Sequence, residues 1–141
     1  MVDIFDEDGQ PWNFCPRGLA KQAVRRLQDE FGYSLKIGFE VEFAVNNLEM
    51  VAVENNCYSN SNSLNAYAKI LEEVMDDLAL LDVEVLVAHQ ETGPGKYEIV
   101  LGYGDVIETL DKYFIARETI KAVFGKYSYI VTFIPKSSPI T

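Results

Sequence analysis

Histidine, cysteine, basic charge and long apolar runs are all scarce in this 141-residue chain, which holds one histidine and two cysteines. Cys15 and Cys57 are too few and too isolated to build a disulfide framework. Neither has a histidine at a spacing that marks a nucleophile or a zinc site, so both read as ordinary thiols. No apolar stretch approaches the roughly 20 residues that cross a bilayer. The opening Met1-Val2-Asp3-Ile4-Phe5-Asp6 lacks the basic and apolar blocks of a secretory signal. Only 12 Lys and Arg stand against 22 Asp and Glu, a net charge of −10. Such a surface repels phosphate backbones and anionic lipid, which argues against nucleic-acid and membrane partners. A reduced, cytoplasmic setting fits these absences.

Apolar side chains are plentiful, at 48% with 12% aromatic, enough for one ordinary core and against disorder. Residues 1–16 read as an acidic loop rich in turn chemistry. A helix is predicted over 17–31, with Ala20, Ala23, Val24, Leu27 and Phe31 at helical spacing and Gly32 as its stop. Residues 35–45 alternate strictly: Leu35, Ile37, Phe39, Val41, Phe43 and Val45 share one strand face. Residues 50–53 are a candidate hairpin partner, and 55–62 a polar loop. A second helix is predicted from Ser63, burying Leu64, Tyr67, Leu71, Val74, Met75, Leu78 and Leu81. Its Glu72, Glu73, Asp76 and Asp77 read as a solvated face. Strands follow at 82–90, 96–101 and 127–134, the last two separated by a helix over 105–124 with Val106, Leu110, Tyr113, Phe114, Ile120 and Phe124 inward. The order gives an α+β fold: a curved, mostly antiparallel sheet backed by about three helices.

Two places break the pattern of a plain sheet. Glu40 and Glu42 lie two apart on the strand face opposite the apolar row. Glu91 and Glu98 flank the turn Thr92-Gly93-Pro94-Gly95, where a short hairpin brings such positions within reach. If both hairpins share one sheet, four carboxylates converge. Like charges that close repel unless something positive sits among them, and hard oxygen ligands suit Mg²⁺ or Mn²⁺. The alternative from spacing alone is that these glutamates face water.

Gly38-Phe39-Glu40-Val41-Glu42-Phe43 resembles the G-x-E-x-E-F strand of glutamine synthetases. His89-Gln90-Glu91-Thr92-Gly93-Pro94-Gly95-Lys96-Tyr97-Glu98-Ile99 is similar to that family's H-x-E-x-x-P-G-Q-x-E-I hairpin. Thr132-Phe133-Ile134-Pro135-Lys136 resembles its T-F-M-P-K strand end, and Pro11-Trp12 with Cys15-Pro16-Arg17 its entry into the catalytic domain. The motifs come in family order over nearly the whole chain, most like the branch of plant nodulin-type and fungal developmental proteins. The resemblance implies an ATP-dependent ligase, in which two divalent cations help form a γ-glutamyl phosphate from glutamate or a related acid, and ammonia or an amine then attacks. It implies Glu42, Glu91 and Glu98 as ligands of a first metal and Glu40 as one ligand of a second, with a homo-oligomer in full-length relatives.

The departures weigh on the same reading. Lys96 stands where the family has Gln, beside a cluster whose metal affinity it weakens if it pairs with a glutamate. Gln90 stands where many members have a second His. The family's N-G-S-G-x-H-x-H segment, the later arginines and Glu, and the β-grasp domain are not in the sequence. Residues 1–141 therefore read as a partial catalytic domain, weak or inactive alone, and a non-catalytic divalent-metal-binding or regulatory remnant is the second reading. A Mg²⁺-dependent hydrolase is a weaker third, lacking a nucleophile or base. His89 lines the active site by resemblance, or is a satisfied partly buried group. Lys136 approaches phosphate by resemblance, or is a solvated strand end. Arg117, in the apolar stripe of the third helix, reads as an ion-pair partner for Glu118 or Asp111. Phe39, Phe43, Tyr113, Phe114 and Phe133 read as core.

Overall fold

The computed structural model describes residues 1–49 and 58–135. Their order is α1 (Pro16–Phe31), β1 (Lys36–Ile37), β2 (Glu40–Asn46), α2 (Ser61–Ala66), α3 (Ala68–Leu80), β3 (Val85–Gln90), β4 (Lys96–Leu101), β5 (Gly104–Asp105), α4 (Val106–Lys126) and β6 (Ile130–Thr132). Four strands form one sheet in the order β3, β4, β2, β6, with every neighbouring pair antiparallel. β1 and β5 form a separate antiparallel pair. The expected α+β class with antiparallel pairing is what the fold shows. The candidate strand at 50–53, Cys57 and Lys136 lie outside the described residues.

Strand alternation divides the sheet into two unlike faces. Val41, Phe43 and Val45 of β2 and Tyr97, Ile99 and Leu101 of β4 are buried against Ile70, Leu71, Val74 and Leu78 of α3. Ala116, Ile120, Val123 and Phe124 of α4 complete this core. The helical period sets these inward positions three or four apart, so one stripe of each helix covers the sheet. α1 has no buried side chain and is fastened by charge instead. Arg17 donates from Nε and Nη2 to both carboxylate oxygens of Asp111 on α4, at 3.0 and 2.9 Å, and from Nη1 to Asp3 at 2.7 Å. Cys15, buried, caps α1 by accepting from the Gly18 amide at 3.4 Å, and Gly32 ends it at φ 72°.

Several expectations change in detail. The strand over 35–45 breaks at Gly38-Phe39, because the chain changes partner from β5 to β4. The helix from Ser63 becomes two, joined at Tyr67, whose ring packs edge-on against Tyr97 and Tyr129 at 5.8 and 5.4 Å. Leu81 falls beyond α3 and is exposed, since Asp82 takes a left-handed φ of 58°. The strand at 127–134 shortens to β6, because the amides of Tyr127, Ser128 and Tyr129 bond back to the end of α4. Phe114 is exposed, while Thr109 and Ala116 take inward positions on α4. Glu73 and Asp77 do not simply face water: Lys126 pairs with both, and Tyr127 donates to Glu73. Arg117 pairs with neither acid, since Asp111 faces Arg17 and Glu118 pairs with Lys121. Its guanidinium lies over the rings of Phe133 and Tyr113, at 4.5 and 5.5 Å.

Candidate metal centre

Directly opposed residues of antiparallel strands project from the same face, so the register defines a grid on the side of the sheet away from α3 and α4. One row holds Val87, Val100 and Glu40, and the next His89, Glu98 and Glu42. The third begins at Glu91, whose amide bonds to the Lys96 carbonyl, and continues through Lys96, Ala44 and Thr132. Glu40, Glu42, Glu91, Glu98, His89 and Lys96 therefore share one surface.

A bulge decides which residue of β3 joins it. Val85 faces Leu101 and Val87 faces Val100, so Leu86 is an extra residue on β3. Unbroken alternation would put His89 on the same face as Val83 and Val85, in the core. The inserted Leu86 shifts the phase, which turns His89 outward and Gln90 inward. Bulges beside sites commonly re-aim a side chain in this way. The cost is visible at Gln90, which is buried opposite Tyr97 with neither amide atom hydrogen-bonded among the described residues.

Glu91 is placed by the turn that follows. Gly93 and Gly95 take φ of 118° and 61°, values open to glycine, and bring Lys96 back alongside Glu91. The Thr92 amide donates to Glu91 Oε1 at 2.7 Å, which holds the carboxylate over the hairpin. Ligand atoms of His89, Glu91 and Glu98 then lie within 4.8 Å of one another. His89 Nε2 is 3.3 Å from Glu98 Oε1, and Nδ1 is 3.1 Å from the Gln90 carbonyl. A carbonyl only accepts, so Nδ1 carries the proton in the neutral ring and Nε2 turns its lone pair to a carboxylate. Two acceptors at that distance need a proton or a cation between them. Burial pushes the Glu98 carboxyl above its ordinary range; His89 opposes the shift, and Glu40, Glu91 and Glu42 add to it. The two carboxylates are the hard oxygen ligands that Mg²⁺ or Mn²⁺ takes, while the imidazole nitrogen is a softer ligand that lines the same spot.

Glu42 and Glu40 are exposed on the neighbouring strand and fall outside that tight group. They line a cavity of about 250 Å³ with Lys96, Tyr113, Phe133 and Pro135. Lys96 is not paired with a glutamate as its position suggests; Nζ donates to the Pro135 carbonyl at 3.3 Å. The aromatic wall of the cavity, and Tyr58 edge-on to the His89 ring at 5.3 Å, carry no signal in the sequence. Both come from elements distant along the chain.

The family model for the glutamine synthetase catalytic domain matches residues 13–140. Type-1 glutamine synthetase 1 of Dictyostelium discoideum is 35% identical over 140 residues, covering 90% of this chain and 28% of that protein. Glutamate–isopropylamine ligase of a Pseudomonas species is 25% identical over 151 residues, covering 98% of this chain and 32% of that protein. A solved structure of apo GmaS without ligand superposes with a TM-score of 0.88 at 21% identity, covering 97% of this chain and 34% of that one. At that identity the likeness is one of fold. The chain thus spans about a third of the length of the proteins it matches.

Proposed function

This chain belongs to the glutamine synthetase catalytic-domain family, and from that premise we propose that its carboxylate face serves an ATP-dependent carbon–nitrogen ligation. The carrying observation is the row His89–Glu98–Glu42 with Glu91 beside it, which gathers ligands from three strands onto one surface. Glu91 and Glu98, with Glu42 on the adjoining strand, would hold Mg²⁺ or Mn²⁺, and Glu40 would supply one ligand to a second ion. The bound metal supplies charge neutralisation for the ATP phosphates and the acid.

The chain's own residues contribute placement and charge. Glu98, buried beside His89, is fixed by the sheet, so its carboxylate is oriented before any ligand arrives. Glu91 is held by the Thr92 amide. His89 is fixed by its own hydrogen bond and by the Tyr58 ring, and lines the site. In the proposed reaction an oxygen of the γ-carboxylate of glutamate, or of a related acid, attacks the γ-phosphorus of ATP and expels ADP. The nitrogen of ammonia or an amine then attacks the acyl carbon, phosphate leaves, and the nitrogen gives up a proton. The Pseudomonas relative's name supports keeping amines beside ammonia as acceptors. The reading includes a cytoplasmic setting, a partial catalytic domain in residues 1–141, and homo-oligomeric assembly of the full-length enzyme.

A second reading, a non-catalytic metal-binding or regulatory chain, is favoured by Lys96 standing among the carboxylates. Titration calorimetry with Mn²⁺ tests the shared premise. The native chain is expected to bind about one ion at the carboxylate cluster; the Glu42→Ala, Glu98→Ala double variant should lose it. Binding unchanged in the variant would remove this face from the reaction. ATP- and glutamate-dependent phosphate release then separates the ligase from the non-catalytic reading.

A further inference from the structure

A second concavity lies on the side of the molecule away from the glutamates. α4 covers the inner face of the sheet, and Arg17 fastens α1 to it through Asp111. Against α1 the first residues of the chain fold into a tight hairpin. The Trp12 amide donates to the Ile4 carbonyl at 3.0 Å, Phe5 bridges Pro11, and the Asp6 carboxylate accepts from the Asp8 and Gln10 amides at 3.1 and 2.7 Å. Asp3 moors one end by pairing with Arg17 and Lys21. Past that mooring a slot of about 270 Å³ opens. Ile4, Phe5 and Pro11 lie on its hairpin side, Gln22 and Arg25 on its helix side, and Cys15 is buried between them. The family model begins at residue 13, so the hairpin wall lies outside the matched stretch.

We infer that this slot is an accessory binding site for a small organic carboxylate with an apolar body. The chain carries a net charge of −10, yet the slot is basic. Asp3 is the one acid among its lining residues, and Arg17 and Lys21 already pair with it. Arg25 makes no ion pair among the described residues. Its guanidinium is a fork that grips a carboxylate through two parallel hydrogen bonds. Gln22, one turn away on the same helix face, offers an amide donor beside it. The three apolar residues opposite suit hydrocarbon, which a multiply charged, strongly hydrated phosphate does not present. One unpaired cation matches one negative charge, and the volume lies at the small end of ligand pockets. The sheet and α4 stand between the slot and the glutamates, so this site and the proposed ligation fail separately. An occupant would also tie the open end of the hairpin to α1.

Sodium benzoate is the probe, with neutral benzamide as its isostere. Each is titrated into the native chain while nuclear magnetic resonance follows the Gly18 and Lys21 amides. Trp12, the single tryptophan and part of the hairpin, reports by fluorescence alongside. Benzoate should shift these signals with a dissociation constant on the order of 1 mM, and benzamide should bind about tenfold more weakly. Arg25→Gln should weaken benzoate by about tenfold, and Arg25→Lys by less. Phe5→Ser should weaken it with Arg25 in place. Both positions are exposed, and circular dichroism checks that each variant is folded. Benzamide binding as tightly as benzoate, or benzoate affinity unchanged in folded Arg25→Gln, overturns the inference. So does a native chain whose signals stay fixed up to about 20 mM benzoate. The Glu42→Ala, Glu98→Ala double variant should bind benzoate as the native chain does; a loss there would move the acid to the carboxylate face and overturn the slot.

Discussion

The two faces of the four-stranded sheet use the same strands for opposite ends. On β2 and β4 the inward side chains are Val41, Phe43, Val45, Tyr97, Ile99 and Leu101, all buried in one apolar cluster. The outward ones are Glu40, Glu42, Ala44, Lys96, Glu98 and Val100, separated from the inward set by one residue at every step. The inner face lowers the free energy of the fold through apolar burial. The outer face raises it, because like charges are held together around a desolvated Glu98, and His89 offsets this only in part. Each strand therefore stabilises on one side what it destabilises on the other, and the proposed cation would offset the second side.

The largest expected effect tests the inner face. Phe43→Ala removes a fully buried ring that packs against Tyr97, Phe124 and Phe133, and should cost about 3–5 kcal/mol in urea unfolding. A cost below about 1 kcal/mol would mean that this face is not where stability resides. Next is the exception on that face, Gln90, buried with an amide that has no partner among the described residues. Gln90→Met keeps its length and should stabilise by about 1–3 kcal/mol in the same assay; a loss of stability would show that the amide has a role the apolar face does not explain. Smallest is the contact that lies on neither face. Arg17 holds the Asp111 carboxyl below the usual carboxylate range, chiefly through its hydrogen bonds. A depressed acid stabilises the fold above its ordinary pKa and loses that contribution as pH falls through the lowered value. Asp111→Asn should cost about 0.5–1 kcal/mol at neutral pH and flatten the decline of the melting temperature below about pH 4. An unchanged acid limb would show that the fastening of α1 is electrostatically idle.

What could be read beforehand follows the range of the interactions. Alternation over residues 40–46 and 96–101 is local, so β2 and β4 and their outward glutamates were legible, and the motifs at Gly38 and His89 carried the family. Phase was not. Residues Val83, Val85, Val87 and His89 alternate without a flaw, and nothing in them announces the extra residue at Leu86 that sets His89 outside and Gln90 inside. The helix breaks at Tyr67, whose ring meets Tyr97 and Tyr129 across the core, contacts that no local pattern encodes. Lys96 sits beside glutamates in every local view, yet it reaches Pro135, which is near only because β6 returns along β2. Arg17 finds Asp111 across a far longer stretch of chain, and no helical periodicity encodes that.

The hairpin turn carries a last consequence, for insertions and deletions. Four residues, Thr92-Gly93-Pro94-Gly95, separate Glu91 from Lys96. A length change absorbed as a slip of one position sets Tyr97 or Ile99 across from His89, and either the core forfeits its aromatic and aliphatic set or the outer surface forfeits Glu98. A slip of two positions keeps the core facing inward but brings Lys96 or Val100 opposite His89, exchanging an acid for a base or a hydrocarbon. Odd changes break the fold and even ones break the site. Drift in the length of this loop therefore has no neutral direction, and surviving descendants should differ here by substitution rather than by count.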